Sequence, residues 1–383
     1  MSPALSPDGR DISRKGGVRV LVVTGSSGGH MFPALSFLEA LRVKLPDIET
    51  LLIVPHKSII GNIEEIPCRI KHISITPLRA QLNFKNLVSA FNFLKGSLQS
   101  LLIITQFQPE VVVGFGSLSC IPVILSAWIL RIPALIHEQN VIPGRANRFL
   151  AFFADRICIS FPATRSYLKR HIKKIICTGN PLRHEFAKID RRKAREFFRL
   201  SPDTFTILVI GGSQGSHHIN VEFLKAVSAM EDKTRMQVIH LSGAADYGFL
   251  KGEYERINID ARLFDFLKPM HYAYSACDLA ISRAGATTIS EIIFFGVPAL
   301  LIPYPHAYAH QFANAKALEE NGAGRIVRDE AVSAGMLKNN IEYFMHHPQT
   351  LKNMRLAYRD FPVFDAAGML AEEALKLTQY IVA

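Results

Sequence analysis

Several short stretches carry residue types whose spacing suits anion binding and proton movement. Thr24-Gly25-Ser26-Ser27-Gly28-Gly29-His30 follows the apolar run Val18–Val23 and precedes a helical pattern. Its glycines let backbone N–H groups approach a ligand, and the next helix adds positive potential at its N-terminus. No Gly-Lys-Ser/Thr follows, so the loop is not a triphosphate P-loop, and GSSGGH lacks the GxGxxG spacing of a dinucleotide fingerprint. The same turn serves equally as a tight strand-to-helix connection. His30 sits where a general base would be placed and titrates near neutrality, although a polar cap would also place a histidine there.

A second loop, Gly114-Phe115-Gly116-Ser117-Leu118-Ser119, follows Val111–Val113 and suits either a second phosphate or plain packing. His137-Glu138-Gln139-Asn140 ends another apolar run. Four hydrogen-bonding side chains in succession are poor core material, which favours a ligand-facing role. Further on, Gly211-Gly212-Ser213-Gln214-Gly215-Ser216 repeats the anion-cradling pattern. Ser282-Arg283-Ala284-Gly285-Ala286-Thr287-Thr288 ends a strand and opens a helix, a favourable seat for a pyrophosphate. Glu291 lies one turn on, suited to accept bonds from a ribose diol or simply to compensate the helix dipole. The stretch from Pro303 to Asn314 offers further polar groups, including His310 and Gln311, to sugar hydroxyls or to solvent.

The elements that must hold these loops are legible as two series of β-branched runs separated by helical patterns. The first comprises Val18–Val23, Leu51–Val54, Val111–Val113, Ala134–His137, Arg156–Ile159 and Ile175–Thr178. The second comprises Thr206–Ile210, Gln237–Leu241, Ala261–Phe264, Leu279–Ser282 and Ala299–Ile302. Continuous apolar strands of this length indicate parallel sheets covered on both faces, hence two doubly wound α/β domains. A chain of 383 residues fits two such cores. The boundary is expected near Gly179-Asn180-Pro181. This gives a polar extension over 1–17, one domain over 18–181 completed by a C-terminal helix over 362–383, and a second over 182–361.

The net charge of +11 suits an anionic membrane surface or a phosphorylated substrate. Nucleic acid is disfavoured, because no dense basic stripe interleaved with aromatics is present. The five cysteines form no close pair, which points to reduced core thiols rather than disulfides or zinc. The longest apolar stretch, Ile121–Leu130, is too short to span a bilayer. Leu78–Leu102 combines Leu, Phe and Val with Arg79, Lys85 and Lys95, a composition suited to interfacial docking or to an ordinary packed amphipathic helix.

Taken in order, TGSSGGHMFPAL, GFGSLSCIP, HEQNVIPGRAN, GNPLR, GGSQGS, SRAGATTISEI and FFGVPALLIPYP with HQFANA resemble the MurG family over roughly residues 18–380. These are GT-B glycosyltransferases of family 28. The resemblance implies two Rossmann-like domains facing across a cleft. It implies metal-independent, inverting transfer of GlcNAc from UDP-GlcNAc to the 4-hydroxyl of MurNAc in undecaprenyl-linked lipid I, at the cytoplasmic face of a bacterial inner membrane. Cell-wall synthesis proteins are possible partners, and no cofactor is implied.

By the same resemblance, His30 is the catalytic base or a positioning group. Ser27, Gly28, Gly29, Asn140, Arg183, Ser213, Gln214, Leu267, Thr287, Thr288, Glu291, Gln311 and Asn314 face the donor. Gly116, Ser117, Glu138 and Gln139 lie toward the acceptor. Ser117-Leu118 stand where the family's second loop reads closer to GGY, and Tyr308-Ala309 replace an acidic residue before His310. A UDP-GlcNAc 2-epimerase or another GT-B glycolipid glycosyltransferase is the alternative reading.

Overall fold

The structure, a computed structural model, describes residues 17–56, 68–76, 84–183, 185–212, 214–305, 307, 309–361 and 365–378. The polar extension before Gly17, Arg79, Ser213, His306 and Tyr308 therefore lie outside the described residues.

Two parallel sheets organise the chain. The first contains β1 (Arg19–Val23), β2 (Glu49–Pro55), β3 (Arg69–Ile73), β4 (Val111–Gly114), β5 (Ala134–Glu138), β6 (Arg156–Ile159) and β7 (Ile175–Cys177), in the order β3-β2-β1-β4-β5-β6-β7. The second contains β8 (Phe205–Ile210), β9 (Met236–Leu241), β10 (Ala261–Phe264), β11 (Leu279–Ser282), β12 (Ala299–Leu301) and β13 (Gly324–Ile326), in the order β10-β9-β8-β11-β12-β13. In each sheet the order reverses beside the first strand, the place where open α/β sheets bind ligands.

Alternation along the strands explains why both faces need helices. Val20 and Val22 pack with Met31, Phe37 and Leu41 on one face, while Leu21 and Val23 pack with Ile104, Val123 and Ile124 on the other. In the second sheet Leu208 and Ile210 join Ala273, Tyr274 and Ile289, and Ile207 and Val209 join Ile219, Phe223 and Leu337. The edge strands β3 and β13 escaped the sequence reading. Their residues are short of apolar content and largely exposed or half-buried, so no buried run marks them.

The helix Ala366–Leu375 returns to the first sheet and packs on the helix Gly28–Lys44. Lys44 Nζ meets Glu372 at 2.7 Å, and Arg156 lies 3.8 Å from Glu373. The five cysteines are unpaired, and burial pushes the Cys277 thiol up to about 12. Among the described residues, no helix is long and apolar enough to cross a membrane.

The root of β11 is fixed electrostatically. Asp278 accepts from Thr206 N at 2.9 Å and from Arg195 Nη2 at 2.8 Å, with Arg191 also bonded and Arg355 at 3.8 Å. Arg195 is only 1% exposed, so its charge has no recourse to water. Asp278→Ala should therefore cost about 3–5 kcal/mol in denaturant unfolding, the usual penalty for stranding a buried charge. A loss below about 1 kcal/mol would contradict this account of the anchor.

Candidate functional site

Strand ends from both sheets converge on a cleft of about 720 Å³. On its C-terminal side β8 runs into the loop 211–216 and the helix His217–Ser228, and β11 runs into the helix Ala286–Phe295. Neither helix has a side-chain cap bond among the described residues, and neither carries an acid in its first turn. Their first amides therefore stand ready for an anion. The loop lies tight against its neighbour: at Gly215, with φ +78°, an added Cβ would come within 1.9 Å of Ser242 O. Gly212, with φ +97°, has nothing within 4 Å of a Cβ position, so a ligand can approach the backbone there.

Polar groups complete this wall. The Thr287 hydroxyl oxygen is buried without a protein partner and belongs to the cleft lining. Glu291 is buried, and Tyr274 donates to its Oε2 at 2.7 Å. Burial raises the Glu291 carboxyl above its usual range, opposed by the nearby Arg183 charge and the Tyr274 bond. Gln311 holds its carbonyl oxygen on Ala284 N and Tyr304 N at 3.2 and 2.9 Å, and its residue faces the cleft. Gln214, Leu267 and Thr288 line the same space, with Phe266 exposed beside Leu267.

Arg183 comes from the connection between the sheets and bridges their halves. Its guanidinium lies 4.3 Å from the ring centroid of Phe32 and 5.5 Å from that of Phe186, and Nη1 donates to Lys268 O at 3.4 Å. Its Nε is buried with no partner. A cation so held, with a donor to spare, suits a diphosphate.

The facing wall is built by the loop before the helix Gly28–Lys44. Gly28 and Gly29 line the cleft. His30 is half-buried, and its Nδ1 shares a hydrogen bond of 2.9 Å with Ser27 Oγ. A Cβ on Gly116 would lie 3.3 Å from the His30 ring, and one on Gly25 would lie 2.6 Å from Ser117 Cβ. The two Gly-rich loops of the first sheet thus clasp the imidazole, with Gly116 at φ +82° and Ser117 at φ +76°. Desolvation, and secondarily the charge of His310, push the His30 pKa down to about 4. The ring is neutral at physiological pH.

The HEQN segment departs from the expectation of a ligand-facing run. Glu138 Oε1 accepts from Asn140 N at 2.8 Å, and Oε2 accepts from Gly144 N and Asn147 Nδ2 at 2.9 and 2.8 Å. His137 Nε2 donates to Gly179 O at 3.0 Å, and Gln139 Nε2 donates to Phe115 O at 3.1 Å and His137 Nδ1 at 3.2 Å. All three side chains are buried and satisfied by protein.

Asn314 likewise sits away from the cleft lining. Its Oδ1 accepts from Val141 N at 2.9 Å, and its Nδ2 donates to Asn140 Oδ1 and Ala284 O at 3.1 and 3.2 Å. His310 Nδ1 donates to Ile142 O at 2.8 Å. Asn140 and Asn314 therefore strap the two halves together in this conformation, where they were expected to contact the donor.

Nothing in the sequence pattern marks Arg283. It bonds Asp329, donates to Ser216 Oγ at 2.8 Å and Ile302 O at 3.2 Å, and so ties three loops of the C-terminal wall. Phe32 and Tyr274 were also passed over, since an aromatic in an apolar helix carries no signal of a cleft. Among the described residues no three His, Cys, Asp or Glu side chains gather as metal ligands.

The glycosyltransferase family 28 N-terminal domain matches residues 20–159, and the family 28 C-terminal domain matches residues 206–367. A UDP-N-acetylglucosamine–N-acetylmuramyl-(pentapeptide) pyrophosphoryl-undecaprenol N-acetylglucosamine transferase of Coxiella burnetii is 37% identical over 88% of this chain and 92% of its own. One of the same name from Thermodesulfovibrio yellowstonii is 34% identical over 89% and 93%. The crystal structure of Acinetobacter baumannii MurG superposes with a TM-score of 0.74 at 26% identity, covering 94% of this chain and 99% of that one. Two facing parallel-sheet domains with uncapped helices at the cleft accord with that fold, and the chain belongs to the MurG family of glycosyltransferase family 28.

Proposed function

We propose that the protein transfers GlcNAc from UDP-GlcNAc to the 4-hydroxyl of MurNAc in undecaprenyl-pyrophosphoryl-linked lipid I, making lipid II for peptidoglycan. The observation that carries this reading is the pair of uncapped helix N-termini, joined by Arg183 and Glu291, facing Gly28 and Gly29 of the His30 loop across one cleft. Donor recognition is assigned to Gly28, Gly29, Arg183, Gln214, Leu267, Thr287, Thr288, Glu291 and Gln311, with Ser27 supporting His30. The acceptor lies toward Gly116 and Ser117.

The reaction is one in-line displacement with inversion. The acceptor oxygen bonds the anomeric carbon as the bond to UDP breaks, and the hydroxyl proton passes to a base. In the tautomer that donates Nδ1–H to Ser27 Oγ, His30 offers the Nε2 lone pair for that proton. The negative charge gathering on the leaving diphosphate meets helix amides and Arg183 in a site partly shielded from water. On this reading no metal is obligatory.

The lipid acceptor requires a membrane surface. Val88, Phe91, Leu94, Leu98 and Leu102 are exposed at helical spacing along Phe84–Phe107, so this stripe is not packed on the sheet. Trp128, Ile129 and Phe149 are exposed on the helices Cys120–Ile129 and Arg145–Leu150, the first packed on Phe84–Phe107 and the second on the first, and Phe152 is exposed in the turn that follows. Lys95, Arg131, Arg145 and Arg148 are exposed on the same elements or beside them. An apolar face edged by cations suits peripheral docking on an anionic leaflet, here assigned to the cytoplasmic face.

Four outcomes test these assignments. With labelled UDP-GlcNAc and a lipid I analogue, His30→Ala should lower kcat by about 10²–10⁴; near-normal turnover would remove His30 as base. At saturating donor the parent's kcat should hold as pH falls through 6.5 and decline toward about 4, because the base must be neutral. Chelation with EDTA should leave turnover within about twofold; a larger loss restored by magnesium would contradict a metal-independent reaction. Vesicles rich in anionic lipid should bind the protein and release it in high salt, and Phe91→Ser with Leu98→Ser should abolish that binding. Binding that ignores lipid charge, salt and both substitutions would overturn the docking face.

A further inference from the structure

Glu291 is a buried acid with one oxygen already engaged. Tyr274, 2% exposed, donates its hydroxyl to Glu291 Oε2 at 2.7 Å. The tyrosine ring stacks on Phe295 with centroids 5.2 Å apart and planes inclined by 15°. Phe295 lies one turn beyond Glu291 on the helix Ala286–Phe295, so a single helix fixes both ends of the phenol. Rotation of the carboxylate is thereby blocked, and Oε1 is left as the oxygen available to a ligand in the cleft. Tyr274 and Glu291 both line that cleft.

We propose that Tyr274 is a positioning residue for the donor. Through its bond to Oε2 it fixes the Glu291 carboxyl group and aims Oε1 at the ribose diol of a uridine nucleotide. The inference rests on the assignment of Glu291 to the donor, given above. A buried carboxylate without a donor would protonate and lose its capacity to accept from two hydroxyls. The charged and titratable groups acting on this pair are Arg183, which favours the carboxylate, and Cys277, whose ionisation opposes that of the phenol. The phenol itself is pushed well above its ordinary value, mainly by burial, and so remains a donor throughout. The sign follows. The carboxylate is required for the diol contact, so affinity is present above the Glu291 pKa and lost as pH falls through it. Removing the phenol hydroxyl takes a hydrogen bond from the ionised form and moves that midpoint to higher pH.

The test is calorimetric titration of UDP and of 2′,3′-dideoxy-UDP into the parent, Tyr274→Phe, Glu291→Gln and the double variant, from mildly acidic to mildly alkaline pH. Tyr274→Phe should weaken UDP about tenfold, the scale of one hydrogen bond to a charged group. It should leave dideoxy-UDP nearly unchanged, which also reports that the variant is folded, and should raise the pH midpoint of UDP binding. In the Glu291→Gln background it should have no further effect. UDP affinity and pH dependence matching the parent, or losses that add in the double variant, would overturn the role of Tyr274. If the parent itself binds UDP and dideoxy-UDP alike, the ribose assignment of Glu291 fails first and takes this inference with it.

Discussion

A parallel strand buried on both faces must hand the chain to a helix at its carboxyl end, and each handover leaves backbone N–H groups without acceptors. A side-chain cap or an acid in the first turn can cover these, as Asp190, Ser333 and Asp365 do elsewhere in the fold. Here three helices that open on the cleft, Gly28–Lys44, His217–Ser228 and Ala286–Phe295, have neither among the described residues. The resulting positive potential is the constraint on which the site depends. Close packing requires glycine at 215, where any Cβ would strike Ser242 O, while Gly212 faces open space. The potential gives a diphosphate somewhere to be stabilised as it leaves.

That potential is useful only if the two walls stay in register. The register is set by polar groups that hydrogen-bond one another between the walls. Glu138 folds the segment after β5 around its own carboxylate, Asn140 and Val141 then grip Asn314, and His310 reaches Ile142. Arg183 adds a second link through Phe32 and the field it exerts on Glu291. Hydrogen bonds of this kind are directional, so the strap defines an angle between domains more sharply than apolar contact would. His30 occupies the point where this geometry matters, its ring held between Gly25 and Gly116 and its charge suppressed by burial.

Much of this was legible in the chain. Eleven of the strands stand out as buried apolar runs, and the Gly-rich loops after them read as anion seats. The strands β3 and β13 do not, because an edge strand has no need of continuous apolar residues. The HEQN segment was less legible. Consecutive polar side chains after a strand argue for exposure to ligand, yet His137, Glu138 and Gln139 satisfy one another and the backbone in the interior. Sequence cannot distinguish a polar group that meets a ligand from one that meets a carbonyl forty residues away, as His137 meets Gly179. Aromatic contributors were equally silent: Phe32 and Tyr274 read as core, and only the fold turns one edge of each toward the cleft. The stripe from Val88 to Leu102 is exposed, while Ile104 of the same helix packs in the core.

The account stands or falls on where the diphosphate sits. A crystal structure with UDP bound should place both phosphates against the backbone amides of 211–216 and 286–288, within reach of Arg183, with the ribose beside Glu291. Phosphates bound instead at the His30 loop alone, away from the helix His217–Ser228 and the helix Ala286–Phe295, would contradict it.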